Sequence, residues 1–395
     1  MKGLLNFFHK IEPDKKKSPF LHTVFDGFFT FLFVPNHVTA KGTHVKDRMD
    51  LKRLMIFVVL AMLACYVFGA YNTGHQHYAA LGQYTELTEG IWPKFWYGIL
   101  KILPILVVTM AVGLGIEFYY ASRKGHGIEE GFIVSGMLIP LIMPPDLPLW
   151  MLALAVIFAV ILGKEAFGGT GMNILNVALL TRVFIFFAYP TYISGDEVWI
   201  SGVAGVDGVT GATPLALAAK GGWEAVTQVY SESQMWWGFI PGSIGETSKP
   251  LIILGALFLI FTRVASWRIM VSMVLGAAFA GMLMNGFVPE ITADSAGVFK
   301  FMAVPWYYQF IMGSFLFAMA FMATDPVTAS GTNKGKWIYG FLIGSIGMVI
   351  RIINPAYPEG WMLAILLLNV FAPTIDHFVV EGNMKRRAKR AQAIA

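Results

Sequence analysis

The chain has 395 residues, of which 56% are apolar and only 13% are charged. Soluble globular domains carry about 25% charged residues. This composition therefore excludes a soluble enzyme, a disordered chain and a nucleic-acid-binding domain, and it predicts an all-α integral membrane protein. The single cysteine, Cys65, excludes a disulfide and a cysteine-only metal site within the chain.

The first 52 residues are basic and mixed in polarity, and they lack the apolar core of a cleavable signal peptide. Within them, the aromatic run at 28–34 is too short to cross a bilayer and predicts an interfacial amphipathic helix. We interpret residues 1–52 as a cytoplasmic segment.

Ten apolar stretches follow, and each is a candidate membrane span. Several are shorter than a bilayer requires, so we expect them to tilt, kink or break. The stretches lie near residues 53–72, 98–121, 131–144, 147–163, 171–189, 250–262, 267–287, 305–323, 337–353 and 360–380.

The distribution of lysine and arginine predicts which side of the membrane each loop and terminus faces. Lysine and arginine concentrate in the N-terminal segment, in alternate loops and in the C-terminal tail at 381–395. The long loop at 190–249 instead carries two lysines against six acidic residues. Because positive loops stay in the cytoplasm, we expect both termini to be cytoplasmic and residues 190–249 to be external.

An internal repeat relates the first half of the chain to the second. Residues 131–153 and 340–364 share Gly-Phe at the start, a prolyl turn, and Trp-Met-Leu-Ala near the end. We interpret 53–189 and 250–380 as two inverted five-helix repeats, an arrangement typical of transporters with sites between the repeats. A chance match between two hydrophobic helices is the alternative.

The same repeat pairs four carboxylates near the ends of spans. Glu117 and Asp325 precede the matched segments, and Glu165 and Asp376 follow their shared tryptophan. A carboxylate near hydrocarbon is costly unless it lines a polar cavity or pairs with a cation. The four residues therefore indicate a cation path, although a solvated helix end is the alternative for each.

The external loop contains the sequence DGVTGAT at 207–213. It resembles the flavinylation motif D-x-x-[S/T]-G-A-[S/T], in which a transferase joins FMN through its phosphate to the last hydroxyl. Small residues before that hydroxyl leave room for a nucleotide, and we expect the hydroxyl to lie in an exposed loop. An ordinary turn is the alternative. The motif residues are Asp207, Thr210, Gly211, Ala212 and Thr213.

A glycine-rich segment at 168–172 precedes two asparagines, Asn173 and Asn176. Their spacing of three predicts that both lie on one face of a helix. A side-chain amide both donates and accepts hydrogen bonds, which suits the edge of a flavin ring. Close packing of two helices is the alternative.

These features together resemble the B-subunit family of the Na+-translocating NADH:quinone oxidoreductases (Nqr), over nearly the whole chain. The D subunit of Rnf complexes, which exchange electrons between ferredoxin and NAD, shares the fold and the flavin motif, but the basic N-terminal segment favours Nqr. A carrier of a small solute, suggested by the repeat alone, has no use for the motif. The matching segments are HVKDRMDLKRLM (44–55), GKEAFGGTGMNILN (163–176), DGVTGAT (207–213), PGSIGE (241–246), FMATDPV (321–327) and INPAYPEG (353–360).

The resemblance implies a subunit of a six-subunit, redox-driven Na+ translocase in the lipid of a bacterial inner membrane, with the flavin loop in the periplasm. An FMN transferase would load FMN onto Thr213. Electrons from NADH would pass from the covalent FMN to a noncovalent riboflavin and reduce quinone while Na+ is exported. No nucleic-acid partner is implied.

The resemblance also assigns two further sites. The riboflavin of the family lies near asparagines that match Asn173 and Asn176, and residues linked to quinone or inhibitor binding match Gly113 and Gly115. The family often has proline where this chain has Val177, which predicts a straighter helix here.

Overall fold

The computed structural model describes residues 10–14, 18–32, 41–43, 51–124, 132–196, 198–202, 211–288, 297–354 and 360–394. Across these residues the regular structure is helical and contains no β-strand, so the predicted all-α class is confirmed. Helices of six residues or more are α1 Pro19–Leu32, α2 Leu51–Ala80, α3 Ile91–Lys124, α4 Phe132–Ile142, α5 Leu149–Gly163, α6 Val177–Ala188, α7 Pro214–Val229, α8 Glu232–Trp237, α9 Lys249–Phe261, α10 Trp267–Gly286, α11 Gly297–Met302, α12 Asn333–Ile353 and α13 Trp361–Ile394.

Six of the described helices are long and apolar enough to cross a membrane, namely α2, α3, α5, α10, α12 and α13. Helices α4, α6 and α9 are apolar but shorter. The stretch predicted near 305–323 is broken into Tyr308–Ile311, Phe315–Phe317 and the π-helical turn Ala318–Met322. The expectation that several stretches are short or broken is therefore confirmed.

Glycines allow the long helices to pack closely. A Cβ atom added at Gly276 of α10 or at Gly344 of α12 would lie 2.1 Å from a backbone carbonyl oxygen of the facing helix. Only small residues permit such an approach between membrane helices. One contiguous hydrophobic core joins both halves of the chain, with α9 packed on α2 and α13 on α6.

The predicted external loop at 190–249 contains helices α7 and α8 and contributes to a small hydrophobic core of its own. Leu215, Val226 and Met235 pack there with Phe301 of α11. On the same side, Trp223 of α7 stacks on Tyr308 with 3.7 Å between the ring centroids. The segment is therefore a folded unit that rests on α11 and on the broken stretch.

The two ends of the chain differ from the sequence-based expectation. Helix α1 begins at Pro19, before the predicted run at 28–34, and packs against α3, whereas residues 33–34 lie outside the described residues. Helix α13 continues without a break from Trp361 to Ile394, so the described part of the predicted basic tail is a helical extension of the last span.

Candidate functional site

The segment before the flavinylation motif is held by Asp146, in the turn between α4 and α5. Its carboxylate accepts hydrogen bonds of 2.8 Å from Ser201 Oγ and from the Gly202 amide. Lys101 Nζ lies 2.7 Å from the same carboxylate. Burial alone would raise the pKa of Asp146, but these hydrogen bonds outweigh it and hold the pKa below its usual value.

The end of the motif itself is held by Tyr230, the residue that follows α7. Its hydroxyl donates a 2.9 Å hydrogen bond to the carbonyl oxygen of Ala212. Burial raises the pKa of Tyr230 to about 12, so the phenol stays a neutral donor at ordinary pH. Asp207 and Thr210 lie outside the described residues.

Thr213 caps the N-terminus of α7. Its backbone is extended, and its Oγ1 accepts a 3.2 Å hydrogen bond from the Ala216 amide. The side chain is half-buried, so the expectation of an exposed loop residue is wrong. The cap places the hydroxyl at the positive end of a helix, where a phosphate group is favourable.

Thr213 also lines a pocket between the external unit and the spans. Its walls are mostly apolar, and its polar lining comes from the segment that leads into α9. The sequence assigns no role to Thr247 in that segment, although residues 241–246 are among the stretches that resemble the family. The lining residues are Trp199, Thr213, Pro214, Leu215, Ile240, Pro241, Gly242, Ser243, Glu246, Thr247, Lys249 and Gly313.

A buried ion pair lies at the inner side of this pocket. Arg182 of α6 lies 3.7 Å from a carboxylate oxygen of Glu246 and donates a 3.2 Å hydrogen bond to Ser243 Oγ. Glu246 lines this pocket, and Glu246 and Arg182 together line a smaller pocket next to Trp361. Sequence reasoning missed this ion pair because the partners lie 64 residues apart (182 to 246).

Three of the four predicted ion-path carboxylates lie in one cluster at the ends of α3, α5 and the broken stretch. Lys164 forms a buried ion pair with Glu117 and interacts electrostatically with Asp325. Lys124 Nζ lies 3.1 Å from a carboxylate oxygen of Glu165. Three carboxylates thus face two ammonium groups, and we call these five residues the inner cluster.

The fourth carboxylate, Asp376 of α13, lies apart from the inner cluster. It accepts hydrogen bonds from Ser330 Oγ at 2.6 Å and from the Gly331 and Thr332 amides at 2.7 and 3.0 Å. These donors belong to the turn before α12. The structure therefore gives Asp376 a role in holding that turn.

The two asparagines do not share a helical face, so that prediction is wrong. Asn176 lies before α6 and caps it, accepting hydrogen bonds from the Ala178 and Leu179 amides. Its Nδ2 donates to Asp325 at 3.3 Å. Asn173 lies in the irregular turn before it, half-buried, and its Nδ2 donates to the Leu175 carbonyl oxygen at 3.2 Å.

Val177 is the first residue of α6. Proline is well tolerated at the first position of a helix because the amide it lacks has no intrahelical acceptor there. Proline at this position is therefore not expected to kink α6, and the structure gives no physical reason to expect a straighter helix with Val177.

The model of the NQR2, RnfD, RnfE family matches residues 38–385 of the chain. The chain belongs to this family. Its similar relatives include three proteins that bear the name of the B subunit of Na(+)-translocating NADH-quinone reductase. That of Chromohalobacter salexigens is 45% identical, over 99% of this chain and 97% of its own length. Those of Ectopseudomonas mendocina and Haemophilus influenzae are 44% and 41% identical, each over 98% of this chain and 99% of its own length.

In this member of the NQR2, RnfD, RnfE family, the two glycines matched to quinone binding have different surroundings. A Cβ atom at Gly113 would lie 2.0 Å from the ring of Phe132, so this glycine lets α3 and α4 pack. A Cβ atom at Gly115 would meet no described atom within 4 Å. Two residues apart on a helix, they point in different directions, and one flat ring cannot lie against both.

Proposed function

We propose that this chain is the B subunit of a Na+-translocating NADH-quinone reductase, and thus a membrane-embedded part of a redox-driven translocase. The observation that carries the proposal is the similarity to relatives of that name along nearly the full length of both chains. The relatives' name favours this function over the Rnf alternative. Membership in the family sets the solute carrier aside.

The first part of the proposal is that Thr213 carries FMN as a phosphate ester. Its hydroxyl lies at the N-terminus of α7 and opens on a pocket with mostly apolar walls, so the residues present fit the group. When bound, a flavin accepts electrons and passes them on. The protein's own part is to hold the motif at both sides, through Asp146 and Tyr230, and to shield the ring from water.

The second part concerns a noncovalent riboflavin and the quinone. We place the riboflavin beside Asn173. The side-chain carbonyl oxygen of this residue has no hydrogen-bond partner among the described residues. Asn176 uses its amide to cap α6 and to bind Asp325, so its role is to position the site. For quinone, the open face of α3 at Gly115 is the better candidate, because Gly113 is covered by Phe132.

The third part is a path for Na+ that includes the inner cluster. Three carboxylates with two lysines leave one negative charge in excess among these residues. A buried excess charge is costly unless a cation compensates it. Glu117, Glu165 and Asp325 are therefore assigned to the ion path, and Asp376 to the structural support of the turn before α12.

The fourth part concerns the topology of the chain in the membrane and its assembly into a complex. We propose ten spans arranged as two inverted five-helix repeats, at 53–189 and 250–380, in a bacterial inner membrane. Both termini, including residues 1–52 and 381–395, would be cytoplasmic, and residues 190–249 periplasmic. The subunit would lie in membrane lipid within a six-subunit complex and would receive its flavin from an FMN transferase.

Gel fluorescence and intact mass of the denatured subunit test the covalent flavin. Wild type and Thr213→Ser, which keeps a hydroxyl, should fluoresce and carry the added mass of FMN. Thr213→Asn should carry none, although asparagine preserves the helix cap. Absence of an adduct from wild type, in cells that contain the transferase, would contradict the assignment, and so would an adduct on Thr213→Asn.

A further inference from the structure

The pocket beside Thr213 has one apolar part and one polar end. Trp199, Leu215 and Ile240 are all buried and line the apolar part. The polar end is formed by Ser243, Glu246, Thr247 and Lys249, in the segment that leads into α9. A flat ring with one polar edge matches such a division, since binding pockets combine apolar walls with a few oriented polar groups.

Thr247 carries a buried hydroxyl group that makes no hydrogen bond to the described residues. The residue is 3% exposed, and its Oγ1 has no hydrogen-bond partner among the described residues. Buried hydroxyl groups without a partner are rare in folded proteins, and each one calls for an explanation. A ligand in the pocket would supply the missing partner.

The hydroxyl cannot easily find a partner by moving. Gly238 packs directly against the backbone at 247–248, where an added Cβ would lie 2.5 Å from the Ser248 nitrogen. Lys249 is also held, because its Nζ donates to the carbonyl oxygens of Glu246 at 2.9 Å and Gly313 at 2.8 Å. The backbone and the lysine at the polar end are therefore held in place.

We propose that the ring of the flavin attached to Thr213 lies in this pocket, with its polar edge hydrogen-bonded to Thr247 Oγ1 and facing the Lys249 ammonium group. The inference rests on the proposed covalent flavin. It adds two positioning residues for the ring, and both lie in a segment that follows the motif by more than thirty residues.

The arrangement predicts how the protein tunes the flavin. Reduction of the ring by two electrons from NADH, with uptake of one proton, leaves one negative charge on its polar edge. A hydrogen-bond donor at that edge stabilises the reduced form more than the oxidised form. The Thr247 hydroxyl therefore raises the reduction potential of the covalent flavin.

The test compares Thr247→Val with wild type in the whole complex. Valine keeps the shape of threonine and removes the hydroxyl, so the fold and the covalent adduct should persist. The ratio of reduced to oxidised covalent flavin at a fixed potential should fall about tenfold, which corresponds to about 30 mV for a two-electron couple. Spectroelectrochemistry, with the Thr213→Asn complex subtracted, isolates this flavin from the others.

Thr109→Val is the matched control, because Thr109 Oγ1 is also buried and has no partner among the described residues but does not line the pocket. Thr109→Val should leave the reduction potential of the covalent flavin unchanged. Thr247→Ser, which keeps a hydroxyl group, should have the wild-type potential. An adduct of normal mass with unchanged potential and spectrum in Thr247→Val would overturn the placement of the ring. Loss of the adduct in that variant alone would also overturn it, since Thr247 would then serve the transfer. Absence of the adduct from wild type would instead contradict the covalent flavin itself.

Discussion

The Thr213 pocket and the inner cluster are built in opposite ways. The pocket has mostly apolar walls, and the two charged residues that line it, Glu246 and Lys249, have opposite signs. The inner cluster consists of three carboxylates and two lysines at helix ends. For the functions proposed above, a flat cofactor ring suits the first region and a cation suits the second.

The largest expected effect is the loss of Lys164. In Lys164→Met, Glu117 would be left buried without its cation, which costs about 3–5 kcal/mol when one partner of a buried ion pair is removed. The melting temperature of the purified complex and its yield in membranes should both fall. Lys385→Met, at an exposed ion pair with Glu381, should change them little. The double variant Lys164→Met/Glu117→Gln should recover most of the lost melting temperature and yield. A single variant as stable as wild type would show that this ion pair does not stabilise the fold.

A second prediction separates the inner cluster from Asp376, which the repeat alone could not do. Asp325→Asn should raise the Na+ concentration for half-maximal turnover about tenfold, equivalent to about 1.4 kcal/mol, because one negative charge is lost from the ion path. Asp376→Asn should leave Na+ activation unchanged and lower the thermal stability instead. Unchanged Na+ activation in Asp325→Asn would remove this residue from the ion path.

A third prediction concerns the support of the flavin motif. Tyr230→Phe removes the hydrogen bond to Ala212, worth about 1 kcal/mol, and should slow FMN attachment severalfold while the spans stay folded. Because the pKa of Tyr230 is about 12, the wild-type bond should persist at every pH below about 11. The time course of gel fluorescence after transferase addition measures the effect. Tyr192→Phe, at a more exposed tyrosine of the same unit, should attach flavin at the wild-type rate.

The smallest effect is expected at Asp146. Its pKa is lowered in the folded protein, so its contribution is fully present above the ordinary value of about 3.9 and is lost as the pH falls through the lower folded value. For this partly exposed ion pair we expect less than about 1 kcal/mol. Limited proteolysis at 190–249 should therefore increase in wild type only below about pH 4. Asp146→Asn should be cleaved faster at neutral pH, and a wild-type rate there would show that the anchor is dispensable.

Several parts of the molecule could be predicted because their signals are local. Long apolar stretches specify helices, and prolines and glycines mark where α4 ends and where α6 begins. The motif at 207–213 identifies Thr213 through the type and order of adjacent residues. The error at Asn173 and Asn176 has the same origin. A spacing of three places two residues on one face only within a helix, and the irregular turn extends to Asn176.

Composition and short motifs alone predict a helical membrane protein, the threonine proposed to carry the flavin, and the family to which the chain belongs. Only the tertiary structure decides that Thr247 and Lys249 share a pocket with Thr213, that Lys164 pairs with Glu117, and that Asp376 lies elsewhere. The physical reason is that hydrophobic periodicity determines which face of a helix is buried but not which distant helix covers it. That packing also decides which charges and hydroxyl groups are buried, and burial makes a missing partner costly.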